Sequence, residues 1–380
     1  MRITDLQTFI VGNPWKNWLF VKLATDEGIV GLGEATGGLS TKPNEGDLHE
    51  LRRFVIGEDP LHPSRIWDRM YKGRFLNTSI AMCAIETACW DILARSLDVP
   101  AWQLFGGKRR DTLRVYANGW YQGPRDPGFF AERAAEMVEQ GYTALKFDPF
   151  GGAYLQIDAA SERLSLDIIR AVRDAVGPDV DVLVEGHDRF SVQTAIRLGR
   201  KMAEYAPTWF EAPVNARDIQ STLEVARAIE VPVATGEKIR TLATFGDLLA
   251  ERVIDIIQPE VLGLGIANIR KAFGIIEAYD GLVACHQAQS PFCTAINAHL
   301  HASIPNFLVH ENFDDNLEPW TWDVLTGVPR VENGHIRVPD TPGFGVELNE
   351  DEAAKHPYGE RNFLRLFDEG WETRRPPEEG

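Results

Sequence analysis

The 380-residue sequence is short of cysteine, of positive charge and of long apolar runs. Its four cysteines (Cys83, Cys89, Cys285 and Cys293) form no CxxC pair and no framework of spacings, which predicts buried, reduced thiols rather than a disulfide scaffold. Residues 1–30 hold no apolar signal core, and no apolar run reaches about eighteen residues, the length a membrane span needs. A soluble, cytoplasmic protein with no membrane partner is therefore expected. Lys and Arg number 39 against 56 Asp and Glu, a net charge of −17. No basic face is left to neutralise phosphates, so nucleic acid is excluded as a partner.

What is present is an ordinary globular composition, 44% hydrophobic and 25% charged, long enough for one large and one smaller domain. Residues 1–34 alternate as strands, and Asp26-Glu27-Gly28 signals a hairpin between two apolar runs. The stretch Asn13-Pro14-Trp15-Lys16-Asn17-Trp18 reads as a loop. Helical periodicity follows from about residue 47 to 104, clearest in SIAMCAIETACWDILARSLD, and Gly106-Gly107 ends it. Strands first and helices after predict an α+β domain over residues 1–112.

From Leu113 the pattern changes. Short apolar runs (TLRVYAN, TALKFDPF, VDVLVEGH, APTWFEAP, VPVATGE, IDIIQPE, LVACHQ, NFLVHEN) alternate with amphipathic helices such as PGFFAERAAEMVEQG and ERLSLDIIRAVRDAVG. Eight such strands predict a (β/α) barrel over residues 113–330. A doubly wound sheet is the alternative, but the Gly-rich phosphate loop expected after its first strand is missing. Residues after Glu311 are irregular, and RRPPEEG at 374–380 reads as a frayed tail.

Polar residues gather where the predicted strands end: Lys146, Glu185, His187, Glu211, Glu237, Glu260, His286 and Glu311. In a barrel those ends share one mouth, where active sites are built. Glu185, Glu211 and Glu237 are spaced 26 residues apart, about one βα unit, so each unit delivers one carboxylate to the same rim. Three convergent carboxylates need a counter-charge, and an all-oxygen donor set suits Mg²⁺. A bound Mg²⁺ would in turn hold a substrate carboxylate, which reconciles an acidic protein with an anionic substrate. His299, His301, His310, His335 and His356 read as structural.

The ordered set of strand-end motifs is similar to the mandelate racemase subgroup of the enolase superfamily, and within it to acid-sugar dehydratases of the galactonate and gluconate type. DILARSLDVPAWQLFGGKRRDTLRVYA resembles the junction of cap and barrel. ALKFDPF, VLVEGHDRF, WFEAPV, ATGEKI, IIQPEVLGLGI, ACHQAQSP and HENF resemble the strand-end motifs in order, and TPGFGVELN a C-terminal return to the cap. The resemblance implies a (β/α)7β TIM-like barrel under an N-terminal α+β capping domain, completed by residues 331–380. It implies one Mg²⁺ per subunit on Glu185, Glu211 and Glu237, and a homo-oligomer, dimer or octamer.

The resemblance also implies roles. His286 matches the general base, Glu260 the carboxylate that orients it, and Glu311 the acid that binds the substrate carboxylate. Lys146 matches the first lysine of a K-x-K motif whose second lysine is replaced by Asp148, which disfavours two-base racemisation. His187 matches the acid that protonates a departing hydroxide in dehydratases. Asp148 is expected to hydrogen-bond a sugar hydroxyl or tune Lys146, and Trp15, Lys16 and Trp18 to sit in a cap loop over the substrate. The expected reaction is β-elimination from an aldonate or aldarate to a 2-keto-3-deoxy acid. A cycloisomerase or epimerase on the same fold, or a silent acid-binding barrel, are the alternatives.

Overall fold

The architecture is that of a computed structural model, which describes residues 1–374. Three antiparallel strands open the chain: β1 (Ile3–Asn13), β2 (Lys16–Thr25) and β3 (Val30–Glu34). Asp26-Glu27-Gly28 turns β2 into β3 as its composition predicts. The expected loop over 13–18 shrinks to the two-residue turn Pro14-Trp15, with Asn13 paired to Lys16. Burial overrides composition here. Trp18 is wholly enclosed in β2, packed on Phe20 and Trp320, and that burial keeps the strand extended to the turn. Trp18 therefore belongs to the core and not to a loop over the substrate. Helices α1 (Thr41–Val55), α2 (Pro63–Gly73) and α3 (Ile80–Ser96) pack on this sheet, followed by a single turn, α4 (Ala101–Leu104).

Eight parallel strands follow: β4 (Thr112–Ala117), β5 (Ala144–Phe147), β6 (Asp181–Glu185), β7 (Trp209–Glu211), β8 (Val233–Thr235), β9 (Ile256–Ile257), β10 (Leu282–Val283) and β11 (His310–Asn312). They pair in chain order, β11 pairs back to β4, and a Val283–Phe307 bridge closes the ring. The connections carry α5 (Pro127–Glu139), α6 (Ala159–Val176), α7 (Val192–Met202), α8 (Ile219–Ala228), α9 (Leu242–Ala250), the pair α10 (Val261–Leu264) and α11 (Ile266–Ala278), and α12 (Pro291–Ser303). This is the expected (β/α)7β barrel. Most βα loops end on a capping side chain: Asp126, Asp158, Ser191, Asp218, Thr241 and Ser290 each accept a backbone N–H from the first turn of their helix.

The irregular C-terminal region contains more order than its sequence suggests. After a short β12 (Leu325–Thr326), β13 (Val331–Glu332) and β14 (His335–Arg337) form a hairpin that lies antiparallel on β4. The chain then reaches the cap, where Gly343 O accepts from Ala101 N (2.8 Å) and Asp91 accepts from Phe344 N (2.9 Å). A last strand, β15 (Glu347–Leu348), pairs with β12. Further on, Trp371 donates to Gly151 O (3.1 Å) above the barrel mouth. Of the tail expected at 374–380, only Arg374 is described, and it is buried; 375–380 lie outside the described residues. No helix among the described residues is long and apolar enough to cross a membrane.

Candidate active site

The barrel lumen is filled by one residue from each strand: Tyr116, Ala144, Leu183, Trp209, Ala234, Ile256, Ala284 and Val309. Side chains alternate along a strand, so the residue two positions further on returns to the barrel axis at the mouth. Those residues are Asn118, Lys146, Glu185, Glu211, Gly236, Gln258, His286 and Glu311. An apolar plug thus carries a polar layer directly above it. At β8 the pattern lands on Gly236, with a φ of +137° and a backbone so close that a Cβ would lie 2.9 Å from Gln258 N. Only glycine fits there, and the next residue, Glu237, lines the cavity.

Lys146 stands at the centre of this layer. Its Nζ lies 2.6 Å from Glu211, 2.9 Å from Glu311 and 3.1 Å from Glu185. Burial opposes its charge, but these carboxylates hold its pKa well above the ordinary value. Glu185 and Glu211 face each other across β6 and β7. Burial and the Glu211 carboxylate push Glu185 well up, the mark of a site short of positive charge. Glu311 is buried yet held ionised by Lys146, and also accepts from Asn118 (2.9 Å) and Gln287 N (2.6 Å).

Among the described residues, no three acidic or imidazole groups converge into a ready-made cation cage. The Lys146 ammonium stands among Glu185, Glu211 and Glu311, while Glu237 turns to His286 (3.3 Å) and Lys238 (3.6 Å). The donors of Glu185, Glu211 and Glu237 nonetheless fit a hard divalent cation: all are carboxylate oxygens on neighbouring strand ends, and their mutual repulsion is incompletely offset.

Two imidazoles face the cavity from different strands. Burial would lower the pKa of His286, but Glu237 and Glu260 outweigh it and raise it to about 9. Its Nδ1 lies 3.7 Å from Glu260, an ion-pair contact too long for a hydrogen bond. Glu260 is engaged by Gln289 as well. The loop carrying His286 is tied to the cap: Glu34 accepts from Ser290 N (3.0 Å) and Oγ (2.6 Å), and Lys16 donates to Ala288 O.

His187 sits in left-handed backbone (φ 50°), as does Asp188 (φ 59°), a sparsely populated conformation for such residues. The turn is fixed by His187 N donating to Glu185 (2.7 Å) and Asp188 N to Ala212 O (2.7 Å). His187 Nδ1 donates to Asp148 at 2.5 Å, which leaves Nε2 as the free ring nitrogen. Asp148 is fully buried, held ionised against burial by Arg189 and His187, and also accepts from Phe150 N (2.8 Å). The expectation that Asp148 contacts a sugar hydroxyl or tunes Lys146 is therefore corrected. It is enclosed among its own partners and orients His187. Burial lowers the His187 pKa despite Asp148.

The cavity has a volume of about 170 Å³. Lys146, Glu185, His187, Glu237, His286 and Glu311 line it, with Trp15 and Lys16 from the cap turn. Glu211 and Glu260 stand behind this lining, and Trp18 is remote from it. Sequence reasoning missed Asn118, Phe313, Leu364 and Arg374, which also line it. Asn118 stands at a strand end like the others and was findable from the alternation. Arg374 gives no signal, because one of two adjacent arginines in a Pro- and Glu-rich tail resembles any solvated charge.

Residues 9–106 match the family model "Mandelate racemase / muconate lactonizing enzyme, N-terminal domain", and residues 130–352 match "Enolase C-terminal domain-like". The chain belongs to the enolase superfamily. It is similar to the D-gluconate dehydratase of Thermoproteus tenax, 35% identical over 343 residues that cover 88% of this chain and 69% of that protein. It is also similar to the D-gluconate/D-galactonate dehydratase of Picrophilus torridus, at 32% identity over 89% of this chain and 88% of that protein. The crystal structure of a mandelate racemase/muconate lactonizing enzyme from Jannaschia sp. CCS1 superposes with a TM-score of 0.87. It is 32% identical and covers 94% of this chain and 98% of that one. This enolase-superfamily chain thus falls in the mandelate racemase subgroup, as its strand-end motifs implied.

Proposed function

We propose that this protein is a Mg²⁺-dependent hydro-lyase that dehydrates an acid sugar to a 2-keto-3-deoxy acid. One observation carries the reading. Two imidazoles from different strands face a single cavity, one flanked by Glu237 and Glu260 and the other held by Asp148. The relatives named as gluconate and galactonate dehydratases support the same class.

Glu185, Glu211 and Glu237 would hold the cation, which when bound supplies positive charge to offset the second negative charge that forms as the α-proton leaves. Lys146 binds the substrate carboxylate, and Glu311, ionised while paired with Lys146, hydrogen-bonds it once it takes up a proton. His286 accepts the C2 proton. It must be neutral to do so, and neutralising Glu237 removes the main cause of its raised pKa. His187, protonated on both ring nitrogens for this step, then delivers its Nε2 proton to the departing 3-hydroxyl, which leaves as water, while Nδ1–H stays on Asp148. The enol so formed tautomerises to the 2-keto acid. Asp148 orients the His187 ring through Nδ1–H and favours its protonated form against burial. With Asp148 where a second base would stand, no lysine on that face can return the proton, which favours elimination over racemisation.

Purified protein incubated with Mg²⁺ and a panel of aldonic and aldaric acids should give a semicarbazide-reactive product from at least one. His286→Asn should lower that rate by about 10³-fold or more. Solvent deuterium uptake at C2 without keto product would instead identify an epimerase or cycloisomerase.

A further inference from the structure

The roof of the cavity carries two cations that the proposed chemistry does not use. Lys16 comes from the cap turn and Arg374 from the C-terminal tail, and both line the same cavity as His286 and Lys146. Their charged groups lie 4.7 Å and 5.4 Å from the centre of the Trp15 ring. Arg374 is about 95% buried, with a relative exposure of 5%. Its Nη2 donates to Tyr121 Oη (3.1 Å), its guanidinium lies 4.6 Å from the Phe313 ring, and its Nε has no partner among the described residues. Lys16 donates only to the carbonyl of Ala288. Among the described residues, neither cation has a carboxylate within ion-pair distance.

Neither side chain has a direct ionic partner: burial lowers the Lys16 pKa to about 8 although Glu260, Glu34 and Glu237 oppose the shift, and Arg374 keeps a buried Nε without a partner among the described residues. A ligand carboxylate would give each the direct partner that no side chain among the described residues supplies. In the proposed mechanism the floor of the cavity takes one carboxylate at Lys146. An aldonate would offer the roof only a neutral hydroxyl. A second carboxylate at the far end of the molecule would meet the planar fork of Arg374 and the point charge of Lys16.

We infer that Lys16 and Arg374 form a distal carboxylate site, and that the substrate is a diacid, an aldarate. This rests on the dehydratase reading only for the placement of the first carboxylate. It departs from the named relatives, whose sugar acids carry one.

The test measures binding separately from turnover. Calorimetry on the Mg²⁺-loaded protein compares each aldaric acid with the aldonic acid of the same configuration, with semicarbazide assays run in parallel. For at least one configuration the diacid should bind about 100-fold more tightly, and Arg374→Gln or Lys16→Gln should cut that ratio to within about tenfold. Circular dichroism establishes that the variants fold, and the wild-type ratio stands even if they do not. No diacid binding better than its monoacid overturns the proposal. So does an ω-phosphorylated aldonate that binds more tightly than every diacid. Preferential diacid binding with no keto product from either class would uphold the distal site while sinking the dehydratase reading.

Discussion

At the scale of single residues, His286 and His187 are held in opposite states. Burial lowers both, but Glu237 and Glu260 reverse the effect at His286 and Asp148 does not at His187. In metal-free protein the His286–Glu237 contact should make stability depend on pH. Below about pH 6.5 the imidazole is charged whether folded or unfolded, and the contribution is complete. As pH rises through about 9 the folded protein loses that proton and the contribution with it. Melting temperatures of metal-free wild type and His286→Asn should therefore differ most below about pH 6.5 and converge above pH 9. With saturating Mg²⁺, the rising limb of kcat/KM should fall well below pH 9; a limb left at 9 would mean that Glu237 is not a cation ligand. Asp148→Asn should lower kcat by about 100-fold and shift the pH profile, because an amide no longer fixes the His187 proton. It also leaves Arg189 buried without its counter-charge, at about 3 kcal/mol, which thermal melts would register. The candidate site residues were legible because each stands at the end of an apolar strand run. The role of Asp148 was not, since spacing places a side chain at the mouth but does not reveal which neighbours enclose it.

At the scale of elements, legibility followed contrast between faces. Helices with one polar side, such as α6 and α7, stand out in the sequence. Helix α12 is buried on nearly every side and α9 has few charges, so neither shows the helical alternation. The β13–β14 hairpin did carry a signal, the Asn333-Gly334 turn between two short runs, but two- and three-residue strands were too brief to register. The tail had no periodicity, yet it packs over the site. Trp371 stands edge-on to His187 at 5.7 Å and to Tyr121 at 6.4 Å, and it anchors on Gly151. Trp371→Ala should raise KM by about tenfold, with less effect on stability in the barrel than on substrate retention. Steady-state kinetics alongside urea unfolding separates the two.

At the scale of the whole molecule, the net charge of −17 concentrates its cost where Glu185, Glu211, Glu237, Glu260 and Glu311 meet. A cation that binds the folded chain alone stabilises it by mass action, about 2.7 kcal/mol at one hundred times its dissociation constant. Adding Mg²⁺ to chelator-treated protein should raise the melting temperature, and Glu237→Gln should abolish most of that rise. An unchanged melting curve in wild type would count against the metal site.

The bonds from Glu34 to Ser290 and from Lys16 to Ala288 mean that the loop bearing His286 is finished by the cap. The proposed base is thus a joint product of two folding units that lie far apart in the chain. A barrel expressed without its first hundred or so residues would lack more than a cover: it would leave the proton acceptor unseated, and supplying the cap in trans should restore turnover as the two halves dock.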